Sequence, residues 1–344
     1  MDPLMIRVAV NGYGTIGKRV ADAVAAQDDM ELVGVSKTHV SPEAFVAIER
    51  GYPLYIADMG ERAAFERADL PVAGSVEEMV KKADVVVDAT PAGIGAKNKA
   101  MYERAGVKAI FEGGEKHELA GFSFNAHSNY KDAIGRQFIR VVSCNTTAIT
   151  RLISYLDQEY GVEDIHVVLV RRASDPGEIK KGPVDAIVLH PVTIPSHHAP
   201  DVKTVLPNTS ISTMAMMVPT TFMHMHAVQM RLKREPTVLE LCALIRRAPR
   251  LRLVGTYTGM SSTAELAEYM RDIGRPRGDM WENGIFEDSL SIDGRNLRLF
   301  QAVHQEANVV LETIDAIRAA DGTIREPEVS IEKTDRSVGL HPME

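Results

Sequence analysis

The chain has 344 residues, 45% of them hydrophobic and 25% charged, and a formal net charge of −8. This length predicts two domains with large cores, and the composition is typical of a globular protein. The acidic balance argues against nucleic-acid binding, and no apolar stretch approaches the ~20 residues that a membrane helix needs. Two cysteines and an N-terminus without a secretory pattern predict a cytoplasmic protein without disulfide bonds.

A glycine-rich turn follows an apolar strand that is predicted at residues 6–10. Gly12, Gly14 and Gly17 have the G-x-G-x-x-G spacing, and a helical pattern follows them at residues 18–26. In a dinucleotide-binding turn the first glycine permits the tight turn, the second lets the backbone approach a pyrophosphate, and the third allows close helix–strand packing. The amides that open the helix would then face the phosphates.

Alternating strands and helices continue after this turn. Strands are predicted at residues 31–35, 84–88 and 107–111, with a helix at 95–105. Such alternation favours a parallel sheet with helices on both faces. We therefore predict that residues 1–143 form an α/β dinucleotide-binding domain with a Rossmann-type doubly wound parallel sheet. The alternative is an α/β domain in which the glycines serve only turning and packing.

The end of the second predicted strand bears on the choice of cofactor. An NAD-selective site normally offers Asp or Glu there to bind the ribose 2′-hydroxyl, whereas this chain has Ser36, Lys37 and Thr38. A cation and two hydroxyls suit a 2′-phosphate, and no carboxylate is expected to repel it. We predict that NADP is accepted and preferred, with NAD also used. The alternative is that Lys37 is only a solvated loop lysine.

The most informative segment is Ser-Cys-Asn-Thr-Thr at residues 143–147, between a predicted strand and a predicted helix. This order places the Cys144 thiol at the mouth of a helix whose first turn Thr146 and Thr147 could cap. The partial positive charge of a helix N-terminus favours thiolate over thiol, so Cys144 is a candidate nucleophile. The alternative is a buried core residue, which is the interpretation we prefer for Cys242 in its amphipathic helical pattern.

Basic residues are concentrated in the second part of the chain. A strong predicted strand ends at Arg171 and Arg172, and a long segment rich in Gly, Pro, Lys and His covers residues 175–201, including His197 and His198. A segment of this kind inside a compact domain is more often functional than idle. Arginines, lysines and imidazoles together suit a phosphorylated substrate.

His224 and His226 would share one face of a further predicted strand. Two histidines at this spacing can contribute to a metal site, but no third ligand stands out, and we expect no metal. A single histidine that acts as a general base toward Cys144 is the preferred interpretation. Satisfied structural histidines are the remaining alternative.

The sequence resembles the archaeal-type phosphorylating glyceraldehyde-3-phosphate dehydrogenases over essentially its whole length. The matching stretches are residues 11–20, 113–117, 141–147, 195–201, 218–226 and 301–306. The resemblance implies a second, α+β catalytic domain at residues 144–304 with a largely antiparallel or mixed sheet. It also implies a C-terminal helix at residues 305–344 that returns to the dinucleotide-binding domain.

The resemblance implies Cys144 as the nucleophile and His224 as the acid–base residue. Further candidates for substrate or phosphate binding are Ser143, Asn145, Thr146, Thr147, Arg171, His197 and His198. The candidates for cofactor binding are Gly12, Gly14, Thr15, Ile16, Gly17, Lys37, Thr90, Gly114, Arg172 and Gln305.

The implied reaction is oxidation of glyceraldehyde 3-phosphate with NAD or NADP and inorganic phosphate. Cys144 would form a hemithioacetal, His224 would accept its hydroxyl proton during hydride transfer, and phosphate would cleave the resulting thioester. The Cys144 amide and the Asn145 side chain are candidate stabilisers of the oxyanion. The alternatives are a cysteine-dependent semialdehyde or acyl-phosphate reductase of the same architecture, a non-catalytic nucleotide sensor and a zinc hydrolase.

Two further expectations concern assembly and the chain end. The resemblance implies a homotetramer. The methionines Met214, Met216, Met217, Met223 and Met225 could line a subunit interface, but a position in the core is preferred. Residues 326–344 are expected to be loosely ordered.

Overall fold

The computed structural model describes residues 5–112, 114–174 and 182–340. They form two compact units, the first from residues up to 143 together with residues from 310 onward, and the second from residues 144–309. The lysines and Asp-Pro-Gly turn predicted within residues 175–181 lie outside the described residues. No helix of the described residues is long and apolar enough to span a membrane.

The first unit is built on a sheet of eight strands, all of them parallel. The strands are β1 Ile6–Asn11, β2 Met30–Lys37, β3 Leu54–Ile56, β4 Gly74–Ser75, β5 Val85–Asp88, β6 Lys108–Phe111, β7 Ser123–Phe124 and β8 Phe138–Val141. Their order is β4-β3-β2-β1-β5-β6-β8-β7. The chain thus winds outward from β1 in both directions, and dinucleotides bind at the carboxyl ends of the strands at such a switch point.

Helices connect the strands of the first unit. They are α1 Thr15–Ala25, α2 Pro42–Glu49, α3 Arg62–Arg67, α4 Val76–Val80, α5 Gly95–Ala105, α6 His117–Ala120 and α7 Ala126–Asn129. Val20 and Val24 lie on the buried face of α1, as an amphipathic helix against a sheet requires. The predicted Rossmann-type fold class is confirmed for this unit.

The second unit combines a mixed sheet with helices. Its elements are α8 Cys144–Tyr160, β9 Val162–Arg172, β10 Val188–Leu189, α9 His198–Lys203, β11 Ile211–Val218, β12 His224–Leu232, α10 Val238–Arg247, β13 Leu251–Val254, α11 Thr263–Asp272, β14 Asn283–Phe286, β15 Ser291–Asp293 and β16 Asn296–Val303. The main order is β10-β11-β9-β12-β16-β14-β13, and β15 pairs with β16. Both parallel and antiparallel pairs occur, so the predicted α+β class is confirmed.

Helix α8 packs its apolar residues on one face of this sheet. Ile149, Leu152 and Leu156 of the helix belong to the same buried cluster as Val167 of β9 and Val228 of β12. Cys242 of α10 lies in this cluster as well, in agreement with its predicted structural role. Because α8 is buried along its length, its first residue, Cys144, has a fixed position relative to the sheet.

The methionine-rich strand β11 departs from the sequence prediction. Thr213 and Ala215 are buried, whereas Met214 is 44% exposed and Met216 and Met217 are partly exposed. The preference for a core position is therefore wrong for these three methionines, whereas Met223 is buried and Met225 packs against the same buried cluster. The apolar run suggested a strand buried on both faces, but Met214 and Met216 lie on a partly open face of β11, and Met217 lies near its partly exposed end.

Two helices at the end of the chain belong largely to the first unit. They are α12 Asn308–Asp321 and α13 Pro327–Ser337. The expectation of a loosely ordered end is wrong over α13. Arg318 of α12 is fully buried and donates hydrogen bonds to the Ser330 carbonyl and the Thr334 hydroxyl of α13. Polar contacts thus fix a helix with few apolar residues.

Candidate active site

Cys144 is the first residue of α8, so the helix begins at the thiol itself. Thr146 and Thr147 therefore lie inside the first turn and do not cap it, contrary to the prediction. Both threonine side chains are fully buried, and the Thr146 hydroxyl donates to Asp201 of α9. Cys144 is partly exposed, as is Ser143 before it, and the Asn308 amide donates to the Cys144 carbonyl over 2.8 Å.

The environment of the thiol contains opposing effects. Desolvation by the surrounding protein raises the pKa of Cys144, while the charges of Arg171 and Arg172 and the peptide N–H of Asn145 oppose the rise. The net direction is upward, so the depressed pKa expected from the helix N-terminus is not found in this state. The thiol form therefore predominates at neutral pH, with nearby cations available to stabilise the thiolate once it forms.

Strand β9 ends with two arginines that have different partners. Arg172 pairs with Glu306, with Nη1 2.9 Å from Oε1, and both side chains are nearly buried. The side-chain amide of Gln305 lies against the same guanidinium, with its oxygen as the acceptor. The structure thus brings together Arg172 and Gln305, the two residues of this unit that were predicted to contact the cofactor.

Arg171 lies at the centre of a cluster of imidazoles. Its Nη1 donates to Nδ1 of His190 over 2.9 Å, whereas its buried Nε has no hydrogen-bond partner among the described residues. The His190 and His197 rings meet edge to face at 5.9 Å, and the His197 and His198 rings lie 4.0 Å apart. Burial, followed by the charge of Arg171, lowers the pKa of His197. An arginine with an unused donor among imidazoles is suited to an anion.

His190 was missed in the sequence analysis. It lies in the Gly-, Pro- and His-rich segment that was predicted to be functional, but no spacing distinguished it from its neighbours. Only the folded chain shows its contact with Arg171.

His224 is buried at the start of β12, and its tautomer follows from a backbone contact. The peptide N–H of Arg172 donates to Nδ1 of His224 over 3.0 Å. Burial, together with the charge of Arg171, lowers the pKa of His224 well below its ordinary value, so the ring is neutral. A neutral ring whose Nδ1 accepts carries its proton on Nε2. His224 can therefore donate a hydrogen bond from Nε2.

Asn145 is almost completely buried and contacts two other histidines. Its Oδ1 lies 2.8 Å from Nε2 of His226, and its Nδ2 lies 3.4 Å from Nε2 of His198. Both ends of the side-chain amide are therefore occupied within the protein. The geometry does not support the prediction that this side chain stabilises an oxyanion. It supports a positioning role for the side chain instead.

In the first unit, the glycine turn has the geometry that a dinucleotide requires. Gly12 has a φ of +97°, which favours glycine, and a Cβ on Gly17 would lie 1.8 Å from the Gly12 carbonyl oxygen. Gly14 precedes α1 without a capping side chain, and a Cβ there would meet nothing within 4 Å. The space beside Gly14 is therefore open where α1 begins with Thr15 and Ile16, whose amides are candidates to face the phosphates. These features fit a bound pyrophosphate.

Two other predicted cofactor residues lie in loops of the first unit. Thr90 follows β5 and donates through its peptide N–H and its hydroxyl to Asp88. Gly114 follows β6 and approaches Ala92, with 3.3 Å between Cβ of Ala92 and a Cβ built on Gly114. Both loops leave carboxyl ends of neighbouring strands. Gly113, part of the matching stretch, lies outside the described residues.

The loop that was predicted to bind a 2′-phosphate differs from expectation. The Ser36 hydroxyl is buried, accepts from Gly12 and donates to Asn11 over 2.6 Å, so it does not face a ligand. Lys37 Nζ lies 3.4 Å from Oε2 of Glu43. No carboxylate was expected near the predicted 2′-phosphate site. This expectation is wrong, because Glu43, which lies in α2 seven residues after Ser36, contacts Lys37.

Within the described residues, no group of three or more His, Cys, Asp and Glu side chains could bind a metal ion. His224 and His226 share one face of β12, as predicted. Nδ1 of His224 accepts from a peptide N–H, and both ring nitrogens of His226 contact side-chain amides. The two histidines are therefore arranged for hydrogen bonding.

A Rossmann-type unit, and a second unit with a partly exposed thiol under the charges of two arginines, one of which contacts a neutral imidazole through its peptide N–H, define the class of cysteine-dependent dehydrogenases. Residues 143–272 match the profile of the glyceraldehyde 3-phosphate dehydrogenase C-terminal domain, and residues 6–120 match that of the dihydrodipicolinate reductase N-terminus. The chain is 60% identical to glyceraldehyde-3-phosphate dehydrogenase of Methanoregula boonei over 99% of both chains.

Other relatives give the same result. Identity is 56% to glyceraldehyde-3-phosphate dehydrogenase 1 of Methanosarcina barkeri, over 97% of this chain and 98% of the relative. It is 49% to glyceraldehyde-3-phosphate dehydrogenase of Methanobacterium bryantii, over 98% of this chain and 100% of the relative. The chain belongs to the glyceraldehyde-3-phosphate dehydrogenase family, and the predicted resemblance is confirmed.

Proposed function

We propose that the protein catalyses the phosphorylating oxidation of glyceraldehyde 3-phosphate to 1,3-bisphosphoglycerate with NAD or NADP. The observation that carries the proposal is the partly exposed Cys144 thiol at the start of α8, within the influence of Arg171 and Arg172. A thiol beside cations is suited to attack a carbonyl and then carry an acyl group. The identity of the aldehyde substrate is inferred from the names of the relatives, which are glyceraldehyde-3-phosphate dehydrogenases.

Each covalent step in this scheme balances. The Cys144 thiol loses its proton to solvent, and the thiolate attacks the aldehyde carbon to give a hemithioacetal alkoxide. A bound nicotinamide would supply the hydride acceptor, and loss of hydride from this carbon converts the alkoxide into the carbonyl of a thioester. A phosphate oxygen then adds to the thioester carbon, and the carbon–sulfur bond breaks to release the acyl phosphate and regenerate the thiolate.

His224 is proposed to act on the substrate oxygen through Nε2. Because Nδ1 accepts from the Arg172 peptide, Nε2 carries the proton that the alkoxide can share. The proton is back on Nε2 when the carbonyl of the thioester forms. His224 thus acts first as a donor and then as an acceptor, in keeping with the acid–base role that the resemblance implied.

The Arg171 cluster is proposed to bind phosphate oxygens. The Nε of Arg171 is buried without a partner among the described residues, and burial lowers the pKa of its guanidinium. A phosphate near Arg171, His190 and His197 would satisfy that donor and pair with its charge. The aldehyde phosphate and the inorganic phosphate share this chemistry.

Cofactor choice is proposed to depend on Lys37 and Glu43. Although burial opposes ionisation of Glu43, hydrogen bonds from Ser41 and its own backbone and the nearby Lys37 keep its pKa low. Lys37→Glu should lower kcat/KM for NADP relative to NAD by about tenfold, because one charged contact is worth about 1–2 kcal/mol. Glu43→Gln should shift the ratio the opposite way, because it frees Lys37 for a 2′-phosphate.

Steady-state kinetics with both cofactors measure this shift. Lys81→Glu is a matched control, because Lys81 is exposed in the same unit and the substitution makes the same charge change. An unchanged cofactor ratio in Lys37→Glu would remove Lys37 from the site.

A homotetramer is proposed from exposed apolar surface in the second unit. Val184 is 82% exposed and Val192 76% exposed, and Ile194, Met214 and Phe300 are also exposed. Exposed apolar side chains of this kind are candidates for contacts between subunits. Light scattering is expected to give the mass of four chains. A concentration-independent monomer would contradict the proposal and leave this surface unexplained.

Phosphate dependence is the experiment that tests the proposed reaction. Reduction of NADP or NAD is followed by near-ultraviolet absorbance with glyceraldehyde 3-phosphate, with and without inorganic phosphate. Turnover that requires phosphate and is lost after iodoacetamide treatment is the expected result. Absence of turnover with the cofactor still bound would favour a semialdehyde reductase or a nucleotide sensor.

Activity in the cytoplasm stays a prediction from the two unpaired cysteines.

A further inference from the structure

A chain of buried hydrogen bonds in the second unit passes through Asn145, the residue after Cys144. Asn283 donates to Gln301 over 3.0 Å, and Gln301 Nε2 lies 3.1 Å from Nδ1 of His226. His226 Nε2 lies 2.8 Å from Oδ1 of Asn145. The chain then continues from Asn145 through His198, Ser196 and Thr213. The register of β12 and β16 pairs His226 directly with Gln301.

The amides fix the direction of every donor in this chain. Gln301 accepts from Asn283 through its oxygen, so its nitrogen is the donor to Nδ1 of His226. His226 must then carry its proton on Nε2, which donates to the Asn145 oxygen. Burial lowers the pKa of His226 to about 3, which agrees with a neutral ring. His226 has one possible tautomer as long as Gln301 is present.

The same reasoning extends to the other side of Asn145. Because its oxygen accepts from His226, its nitrogen faces Nε2 of His198, and His198 donates from Nδ1 to the Ser196 hydroxyl. The Ser196 hydroxyl lies 2.7 Å from that of Thr213, which donates to the Ser196 carbonyl. The chain ends on the backbone, and its two imidazoles are both neutral. The Asn145 amide therefore has one stable orientation.

Asn145 connects this chain to the reacting thiol. It directly follows Cys144, and its peptide N–H favours the thiolate. The peptide that carries this N–H is held at its Cys144 carbonyl by Asn308, and the Asn145 side chain, held at both ends, is a second anchor of the same peptide. The proposed role of the nucleophile does not itself require His226 or Gln301.

We propose that His226, fixed as the Nε2–H tautomer by Gln301, is a positioning residue that orients Asn145 and thereby directs the Asn145 peptide N–H toward the Cys144 sulfur. Loss of the donor lets the Asn145 amide turn, and the sulfur loses a hydrogen bond that stabilises its thiolate. The consequence is slower thiolate chemistry without any loss of cofactor binding. The inference rests on the proposed function only in treating Cys144 as the nucleophile.

Several charged or titratable groups surround the thiol and must stay the same in the test. They are Arg171 and Arg172 of β9, His224 and His226 of β12, His198 of α9, and His190 and His197, which contact Arg171 or His198. Removing neutral His226 changes no charge near Cys144. A change in thiol reactivity would then reflect hydrogen bonding.

The test measures iodoacetamide alkylation of Cys144 against pH, in a Cys242→Ala parent so that only Cys144 reacts. His226→Met keeps the side-chain bulk but removes the donor, whereas His226→Gln retains an N–H at a similar distance. His226→Met is expected to raise the apparent thiol pKa by about one unit, which slows alkylation about tenfold at neutral pH. His226→Gln should restore most of the rate, and the KM for the cofactor should not change in either variant.

A second variant keeps the test decisive if His226→Met does not fold. Gln301→Met removes the donor that fixes the tautomer and should shift the profile in the same direction. Where both single variants fold, the double variant should be no slower than His226→Met, because both act through one chain. Unchanged alkylation in Gln301→Met or His226→Met, or a His226→Gln protein as slow as His226→Met, would overturn the proposal.

Alkylation needs no aldehyde or phosphate. The result therefore stands apart from the proposed function. If the parent enzyme lacks phosphate-dependent turnover but His226→Met still shifts the profile, the reaction is wrong and the positioning role is retained.

Discussion

Cys144→Ser is expected to lower the phosphate-dependent oxidation rate by roughly 10⁴-fold or more, because a serine hydroxyl is not ionised in the assay range and forms no thioester. The effect should lie in kcat. Cofactor binding, measured by quenching or enhancement of fluorescence on titration with NADPH, should be unchanged, because the glycine turn belongs to the first unit. Rapid-quench detection of an acyl-enzyme in the parent, and its absence in the variant, would identify the bond.

Cys242→Ser is the matched control for this substitution. Cys242 is buried in α10 near Glu287 and is not close to the proposed chemistry. It should keep most of the activity and all of the sensitivity to iodoacetamide. Retained turnover in Cys144→Ser, at any rate near that of the parent, would refute the covalent route.

The pH dependence of Cys144 has a definite sign. Desolvation raises the pKa of the thiol, so the thiolate fraction at neutral pH is small. Below that pKa the fraction grows about tenfold per pH unit. Alkylation of the free enzyme should therefore accelerate through neutral and mildly alkaline pH without an early plateau. A plateau below neutral pH would show that the helix N-terminus and the arginines dominate over desolvation.

The parts of this fold that depend on local signals were predictable from the sequence. The spacing of Gly12, Gly14 and Gly17 after an apolar strand identified the nucleotide turn, because only glycine tolerates the φ of Gly12 and the contact at Gly17. The position of Cys144 at the start of a helix was also predictable, although the apolar pattern of the helix begins only at Ala148. Polar residues in a first turn do not show where the helix starts.

Features that depend on long-range register were not predictable. Gln301 and His226 are 75 residues apart, and only the pairing of β12 with β16 brings them together. Glu43 likewise reaches Lys37 because α2 follows β2 through a short connection. A single sequence gives neither the pairing nor the direction of the side chains, so the tautomer of His226 and the ion pair of Lys37 were missed.

The end of the chain illustrates a different limit. Periodicity of apolar residues indicates helices that pack through a hydrophobic stripe. Helix α13 has one large buried apolar residue, Ile331, and its other buried residues are Ser330, Thr334 and Asp335. Its contacts with Arg318 are hydrogen bonds. The polar sequence of this segment therefore suggested a loosely ordered end. In the structure, the buried Arg318 guanidinium holds α13 in place through hydrogen bonds.

His224→Asn is expected to lower kcat by about 10²–10⁴-fold, the range for loss of a general acid–base group. Asparagine keeps an acceptor for the Arg172 peptide N–H but has no N–H at the position of Nε2. The alkoxide would then form without a donor, while the thiol would keep its neighbours. Alkylation of Cys144 should therefore be almost unchanged in His224→Asn, in contrast to His226→Met, which should slow alkylation.

The pH profile of the parent enzyme tests the role of His224 as well. Burial lowers the pKa of His224 well below its ordinary value, so the group stays neutral as the pH falls through the usual histidine range. The parent enzyme should show no loss of activity from His224 protonation in that range, and the acidic limb of its profile should follow the thiolate fraction of Cys144. If His226→Ala is more damaging to kcat than His224→Ala, or if kcat falls with a histidine-like pKa that His224→Asn abolishes, the acid–base role assigned to neutral His224 is wrong.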